Sequence, residues 1–438
     1  MMLDRIGLRL PLEPPKGMDD IGPEDYALQE RLVYAARSIM RLYGYVPIET
    51  PPVEHFEVFA AKSGEEILTH MYSFEDVHGR KLVLRPEMTA AVARLFASKL
   101  SRRPLPQRLS YISDCYRLDE PQWGRRRRFY HAGFELIGVR DPYADVEQVL
   151  ICRDFMERVG INEFKVKLGH VGVHRAVLGQ CGLQGEEADA VLSLIDRGRI
   201  DDALALVRTR SEDERAAEIY GDLVTSEMDD PRSVAEVVRG IEATRPYLEE
   251  LNTAFDALKE LVGEQRLRFV SGFARGLSYY TGIIFEVYGP LANVALAGGG
   301  RYDGLIGLFG GRDFPAVGVA IGITRVHQYI ADRIRVKTAP DQPSVIVKPL
   351  TDRERLYALK IAGSLRVAGV SVELAFPHKP LGEELGLAAE RKIRYIALVG
   401  PRERERGSVT VRDLFNGQQF ELDISSVSSE LVNRLGAG

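Results

Sequence analysis

Residues 127–139, RRFYHAGFELIGV, constrain this chain more tightly than any other segment. The residue types alternate with a period of two, which predicts a β-strand with two unlike faces. Tyr130, Ala132, Phe134 and Leu136 form an apolar face suited to a core. Phe129, His131, Gly133, Glu135 and Ile137 form the other, where aromatic, imidazole and carboxylate groups make a poor core and a plausible site floor. A second strand is expected at 108–117, joined to the first by the loop LDEPQWGRR and ending at Arg117. Carried back into that loop, the alternation puts Arg125 and Arg127 on the site face and Arg126 and Arg128 on the opposite one. The plain alternative is a polar edge strand with solvated arginines.

The remainder of the chain limits what such a pair of strands can serve. At 438 residues the protein should hold two or three domains. The net charge of −5 excludes a bulk polyanion binder, so any contact with nucleic acid must be local and shaped. Cys115, Cys152 and Cys181 are too few and too far apart for a zinc site or a disulfide framework, which points to a reducing compartment. The N-terminus lacks the apolar region of a signal peptide, and no stretch reaches membrane-spanning length. The expectation is a soluble, cytoplasmic protein without membrane contact. Neither a GxxxxGK[ST] loop nor a GxGxxG turn is present, so a bound nucleotide would need another scaffold.

Periodicity predicts a helix over 24–43, an irregular or edge strand in YVPIETPPVE, and a hairpin turning at His78-Gly79. A helix is expected to open at Pro86 and Glu87. Residues 143–157 read as helical and FKVKLGH as a short strand. From about 173 to 262 the pattern is almost wholly helical, the mark of an inserted module. Strands resume at LRFVSGF and YYTGIIFEVYG, GGGRYDGL reads as a glycine-rich turn, and AVGVAIGITRVHQYIA as a strand or turn running into a helix. RIRVKTAPDQP, 333–343, is a polar linker. It separates a mostly antiparallel α+β domain, 1–332, from a small α/β domain at 344–438.

Several further residues suit the chemistry of a charged substrate. Arg117, opposite a second arginine-bearing strand, could clamp a phosphate, because guanidinium matches phosphate bidentately. Glu87 and Thr89 could accept from an ammonium group, although an acid at a helix start needs no such role. In ARGLSYYTG, Arg275, Tyr279 and Tyr280 suggest a pocket lined by a cation and hydroxyls. Three glycines in AGGGRYDGL would let the backbone approach a flat ligand.

In the order LRPEMT, YR…EPQWGRRRRFYH…FELIG, RGLSYYTGIIFE, GGGRYDGL and PAVGVAIGITRV, these motifs resemble the histidyl-tRNA synthetases, over nearly the whole chain. The resemblance implies a class II antiparallel sheet flanked by helices, a helical insertion near the tRNA acceptor arm, and a C-terminal anticodon-binding domain. It also implies a homodimer that activates histidine with ATP and Mg2+ and passes it to tRNA(His), without a prosthetic group. By motif, Glu87 and Thr89 would hold the histidine α-amino group. Arg117 would grip the α-phosphate and carboxylate, Arg125 would lie near the ATP phosphates, and Phe129 would stack on adenine. Glu135, with Tyr280 beside Tyr279, would read the imidazole. Arg275 would stand where related enzymes use an extra metal ion, and Arg325 would face the γ-phosphate.

The chain departs from the family pattern at Ser278, usually aspartate, at His131, usually glutamine, and at Arg126 and Arg128. A protonated His131 would repel a substrate ammonium, so a neutral imidazole is expected. These departures leave room for the synthetase-like regulatory subunit of ATP phosphoribosyltransferase, which binds histidine without aminoacylation. That paralog commonly lacks the C-terminal domain and ATP-gripping arginines. A generic nucleic-acid-binding protein fits neither the net charge nor the pocket residues.

Overall fold

The computed structural model describes residues 11–60, 68–275, 278–290, 292, 294–334, 342–376 and 379–436. The chain divides into two compact units, Met1–Lys337 and Thr338–Gly438.

The first unit is built on an eight-stranded sheet. In chain order its strands are β1 (Val46–Pro47), β5 (Gln107–Tyr116), β6 (Arg128–Ile137), β7 (Lys165–His170), β8 (Leu267–Phe269), β9 (Ile283–Tyr288), β10 (Ala297–Arg301) and β11 (Ala316–Gly322). Their spatial order is β1-β5-β6-β11-β10-β9-β7-β8. Pairing is parallel only at the two margins, β1 with β5 and β7 with β8. A small sheet beside it contains β2 (Val53–His55), β3 (Ser73–Glu75) and β4 (Lys81–Leu84). The hairpin β3–β4 turns at Gly79, whose φ of +75° is easily reached only without a side chain.

Helix Pro23–Leu42 packs on one face of the large sheet. Pro23 opens it, Glu24 and Asp25 complement its N-terminal dipole, and Leu28, Leu32, Ala35 and Ile39 are buried at helical spacing. Helix Pro142–Arg158 also packs there and begins at Asp141, whose side chain accepts from the Tyr143 backbone N–H. Between Val171 and Gly263 the chain is helical, and its buried residues, among them Val191, Val207, Tyr220 and Phe255, join the apolar cluster of the sheet.

One sequence expectation fails here. The run Gly298-Gly299-Gly300 lies inside strand β10, in the middle of the sheet, and is not a turn. Glycine weakens a strand on propensity alone, but pairing on both sides holds this one.

The second unit has a five-stranded sheet of β12 (Val345–Pro349), β13 (Val372–Leu374), β14 (Tyr395–Val399), β15 (Ser408–Asp413) and β16 (Gln419–Asp423). The order β13-β12-β14-β15-β16 is parallel across the first three strands and antiparallel beyond. Helices Arg355–Val367, Leu381–Glu390 and Val427–Gly436 accompany it, and Ile361, Leu365, Val409 and Leu431 are fully buried.

Candidate active site

Strand register assembles the site floor. Residues paired across neighbouring strands project from the same face. Glu135 pairs with Leu109 on one side and Gly318 on the other, and Gly318 pairs with Gly300. The next row runs Tyr111, Gly133, Ala320, Gly298. The centre of this face is therefore almost bare of side chains, and larger groups from its margins lie across it. A Cβ on Gly318 would fall 1.8 Å from Oε2 of Glu135. One on Gly133 would lie 2.0 Å from the Tyr111 ring, and one on Gly298 2.2 Å from the Arg275 guanidinium.

One end of the floor holds a buried carboxyl. Glu135 accepts from the hydroxyls of Thr89 at 3.0 Å and Tyr111 at 3.4 Å on Oε1, and of Tyr302 on Oε2. Burial pushes its pKa up to about 8 against the pull of these donors, with nearby Glu87 adding to the rise. Tyr302 is the site residue that the motif readings missed. Tyr280, expected to share imidazole recognition with Glu135, is not its hydroxyl partner. Its ring stacks at a tilt on Tyr279, with centroids 4.9 Å apart, and lies 5.6 Å from the Arg275 guanidinium.

Glu87 is buried and accepts from the backbone N–H groups of Thr89 and Ala90, the latter at 2.9 Å. It caps the helix that begins at Thr89, so the helix opens three residues after Pro86 rather than at it. Burial still raises its pKa, and Arg117 is close enough to oppose that rise.

The other end is cationic. Arg117, Arg125, Arg275 and Arg325 line a common cavity of about 430 Å³, and a smaller one of about 130 Å³ brings all four together with Phe129 and His131. The side chains of Arg117, Arg275 and Arg325 donate to backbone oxygens. Arg117 donates to Pro86 at 2.8 Å, Arg275 to Phe285 at 3.2 Å, and Arg325 to Gly124 at 2.8 Å and Ala295 at 2.9 Å. Among the described residues Glu286 pairs with this cluster, 3.9 Å from Nε of Arg275, and Asp119 and Asp196 also line the larger cavity. Arg117 also lies over the Phe129 ring at 5.4 Å.

Two buried groups lie within this concentration of positive charge. Burial and the neighbouring Arg117, Arg125 and Arg275 depress Arg325 to about 10, a large displacement for a guanidinium. Burial, then Arg117, Arg325 and Arg275, hold His131 down at about 3. The imidazole is thus neutral at physiological pH, as the sequence argument requires.

The arginine run divides differently from its parity. Strand β6 starts at Arg128, and Gln122 and Arg125 form a separate bridge around Gly124, so alternation does not extend back through the loop. Arg125 does face the cavity. Arg127 does not: it bonds the Asp119 carbonyl at 3.2 Å and packs on Gly17. Arg126 stands at the cavity rim, paired with Asp19 at 2.6 Å, and Arg128 pairs with Asp114 at 3.1 Å. The backbone carbonyl of Ser278 accepts from Arg175 at 3.2 Å, and Ser278 is not among the residues lining the arginine cavities.

A glycine floor, an acidic recognition end and a set of arginines awaiting an anion suit a reaction between a small polar molecule and a phosphate ester. The second unit narrows this further. Residues 344–434 match the family described as the anticodon binding domain, and full-length relatives that are histidine–tRNA ligases make the chain an aminoacyl-tRNA synthetase. Residues 17–326 match the Histidyl-tRNA synthetase family, and the chain belongs to that family.

It is 34% identical to the histidine–tRNA ligase of Methanocaldococcus jannaschii over 95% of this chain and 99% of that one. The solved histidyl-tRNA synthetase of Nostoc sp. PCC 7120 has the same fold, with a TM-score of 0.75 at 23% identity, covering 97% of this chain and 100% of that one. A Bacillus halodurans structure described as an ATP phosphoribosyltransferase regulatory subunit/histidyl-tRNA synthetase has a TM-score of 0.72 at 26% identity, covering 90% and 99%. Its double description does not separate the two activities. The anticodon-binding match and the curated ligases do, and they disfavour the regulatory paralog.

Proposed function

We propose that this protein is a histidine–tRNA ligase that makes histidyl-adenylate from histidine and ATP and transfers the histidyl group to the 3' end of tRNA(His). The observation that carries this is the opposition, across one bare sheet face, of four clustered arginines and a carboxyl fed by three hydroxyls.

In the first step a carboxylate oxygen of histidine attacks the α-phosphorus and pyrophosphate leaves. In the second a terminal ribose hydroxyl of the tRNA attacks the acyl carbon and AMP leaves. Neither step needs a nucleophilic side chain. Both need alignment and neutralisation of phosphate charge, which prepositioned guanidinium groups supply. Arg117 and Arg275 would act on the carboxylate and α-phosphate, with Arg125 and Arg325 on the remaining phosphates and Phe129 against adenine. Magnesium would enter with ATP as part of the substrate.

Glu135 would hold the histidine imidazole, its orientation fixed by Tyr302, Thr89 and Tyr111. Tyr279 and Tyr280 would close the wall beside Arg275. Glu87 would face the α-amino group, with Thr89 positioning Glu135 and neutral His131 accepting from the ammonium. A site built this way rejects amino acids that leave Glu135 without a donor. We assign residues 1–332 to catalysis, with the helical insertion at about 173–262, and 344–438 to the anticodon, joined by 333–343, most of which lies outside the described residues. A homodimer in the cytoplasm completes the proposal; no helix among the described residues is long and apolar enough to cross a membrane.

The test is ATP–pyrophosphate exchange with each amino acid in turn. Exchange should depend on histidine. Histidine binding without exchange would instead identify a sensor.

A further inference from the structure

The site face does not end at the arginines. The row that runs Tyr111, Gly133, Ala320, Gly298 continues through Glu286 and Lys167 to Arg268, on the last strand of the sheet. Lys165, two residues before Lys167 and paired with Tyr288, projects from the same face. At about 4.8 Å per strand, Arg268 stands roughly 14 Å from Gly298, beneath the Arg275 guanidinium.

The two cavities share a wall as well. The arginine cavity is also lined by Lys167 and Tyr288, and both of these line a second cavity of about 410 Å³, with Lys165, Arg268, Val270 and Ala292. Lys167 lies 4.0 Å over the Phe273 ring, and Lys165 donates to the carbonyl of Gln265. Arg268 is exposed and has no ion pair among the described residues. In a protein of net charge −5, three cations on one sheet margin, offset only at Lys167 by neighbouring Glu286 and Asp196, form a local electropositive shelf.

We propose that this shelf, Lys165, Lys167 and Arg268, binds backbone phosphates of the single-stranded RNA end that enters the site. This rests on the ligase reading above. A polyanion whose terminal ribose must reach the arginine cavity has to cross a sheet margin, and this margin offers cations level with the cavity floor. Such contacts carry affinity rather than sequence choice. Each one also adds to the salt dependence of binding, by about 0.7 in the log–log slope for single strands.

The test compares wild type with the double variant Lys165→Ala, Arg268→Ala, using a tRNA(His) transcript at several salt concentrations. Both side chains are exposed and lie outside the arginine cavity, so histidine-dependent pyrophosphate exchange should be retained. The slope of log affinity against log salt should become shallower by about 1.4, and KM for tRNA should rise with kcat unchanged. The charge-retaining variant Lys165→Arg, Arg268→Lys should restore the wild-type slope. Retained exchange with an unchanged salt slope and KM would overturn the shelf, leaving the ligase reading intact. Loss of exchange from the wild-type protein would overturn the ligase reading itself, a separate and distinguishable failure.

Discussion

Arg301 and Arg325 belong to the same sheet unit, and their surroundings use them in opposite ways. Arg301 is buried and spends its donors completely. It bonds Asp145 through Nε at 3.1 Å and again through a terminal nitrogen, and it reaches Asp303 at 3.3 Å and the carbonyls of Val139 and Asp141. Arg325 donates to two carbonyls, has no ion pair among the described residues, and burial together with three other arginines lowers its pKa to about 10. Gathering four guanidinium groups with one distant carboxylate partner, Glu286 at 3.9 Å from Arg275, does not serve stability. Arg301 secures helix Pro142–Arg158 to the sheet, whereas on the proposed reading the other four serve an anionic ligand.

The sharpest way to break this contrast is to remove each arginine in turn. Arg301→Ala leaves Asp145 buried and unpaired, and should cost about 3–5 kcal/mol of stability by chemical denaturation. Arg325→Ala should reduce pyrophosphate exchange by about 10²–10³-fold, the scale for one prepositioned charge donor. Equal stability losses in both variants would dissolve the distinction between them.

The acidic end gives a finer test through pH. Glu135 titrates near 8 in the free site, and free imidazole near 6.5. Between these values free protein and free histidine together carry the one proton that a carboxyl–imidazole contact uses. Below this window a proton must be shed on binding, and above it one must be taken up. Calorimetry should therefore show histidine affinity falling about tenfold per pH unit on either side. Glu135→Gln should abolish the alkaline flank and keep the acidic one. The same raised pKa sets the sign for stability. An acid whose pKa is higher folded than unfolded destabilises the fold as pH rises from its ordinary value towards 8, so Glu135→Gln should gain stability relative to wild type above neutral pH. The smallest effect is expected at Arg128, partly exposed and paired with Asp114; Arg128→Ala should shift stability by about 1 kcal/mol or less, with exchange unchanged.

What the sequence disclosed follows from which signals are local. The alternation at 129–137 placed His131 and Glu135 on one face because strand parity is a local property. Parity failed at Arg127, where the loop breaks register. The glycine run of β10 reads as a turn because propensity favours turns, whereas pairing with β9 and β11 is a tertiary fact. That error concealed Tyr302. Read as a strand, Gly298, Gly300 and Tyr302 share a parity, and the hydroxyl belongs with the site face. Glu87 shows the reverse case, since its helix-capping bonds were foreseeable from position alone, while its burial near Arg117 was not.

The central claim is that the four cavity arginines serve a ligand and not the fold. Thermal unfolding of Arg325→Ala without ligands, beside wild type and Arg301→Ala, addresses it most directly. The account predicts a Tm equal to or above wild type for Arg325→Ala, with the Tm gain on adding ATP and histidine largely lost. A fall in the ligand-free Tm as large as that of Arg301→Ala would contradict it.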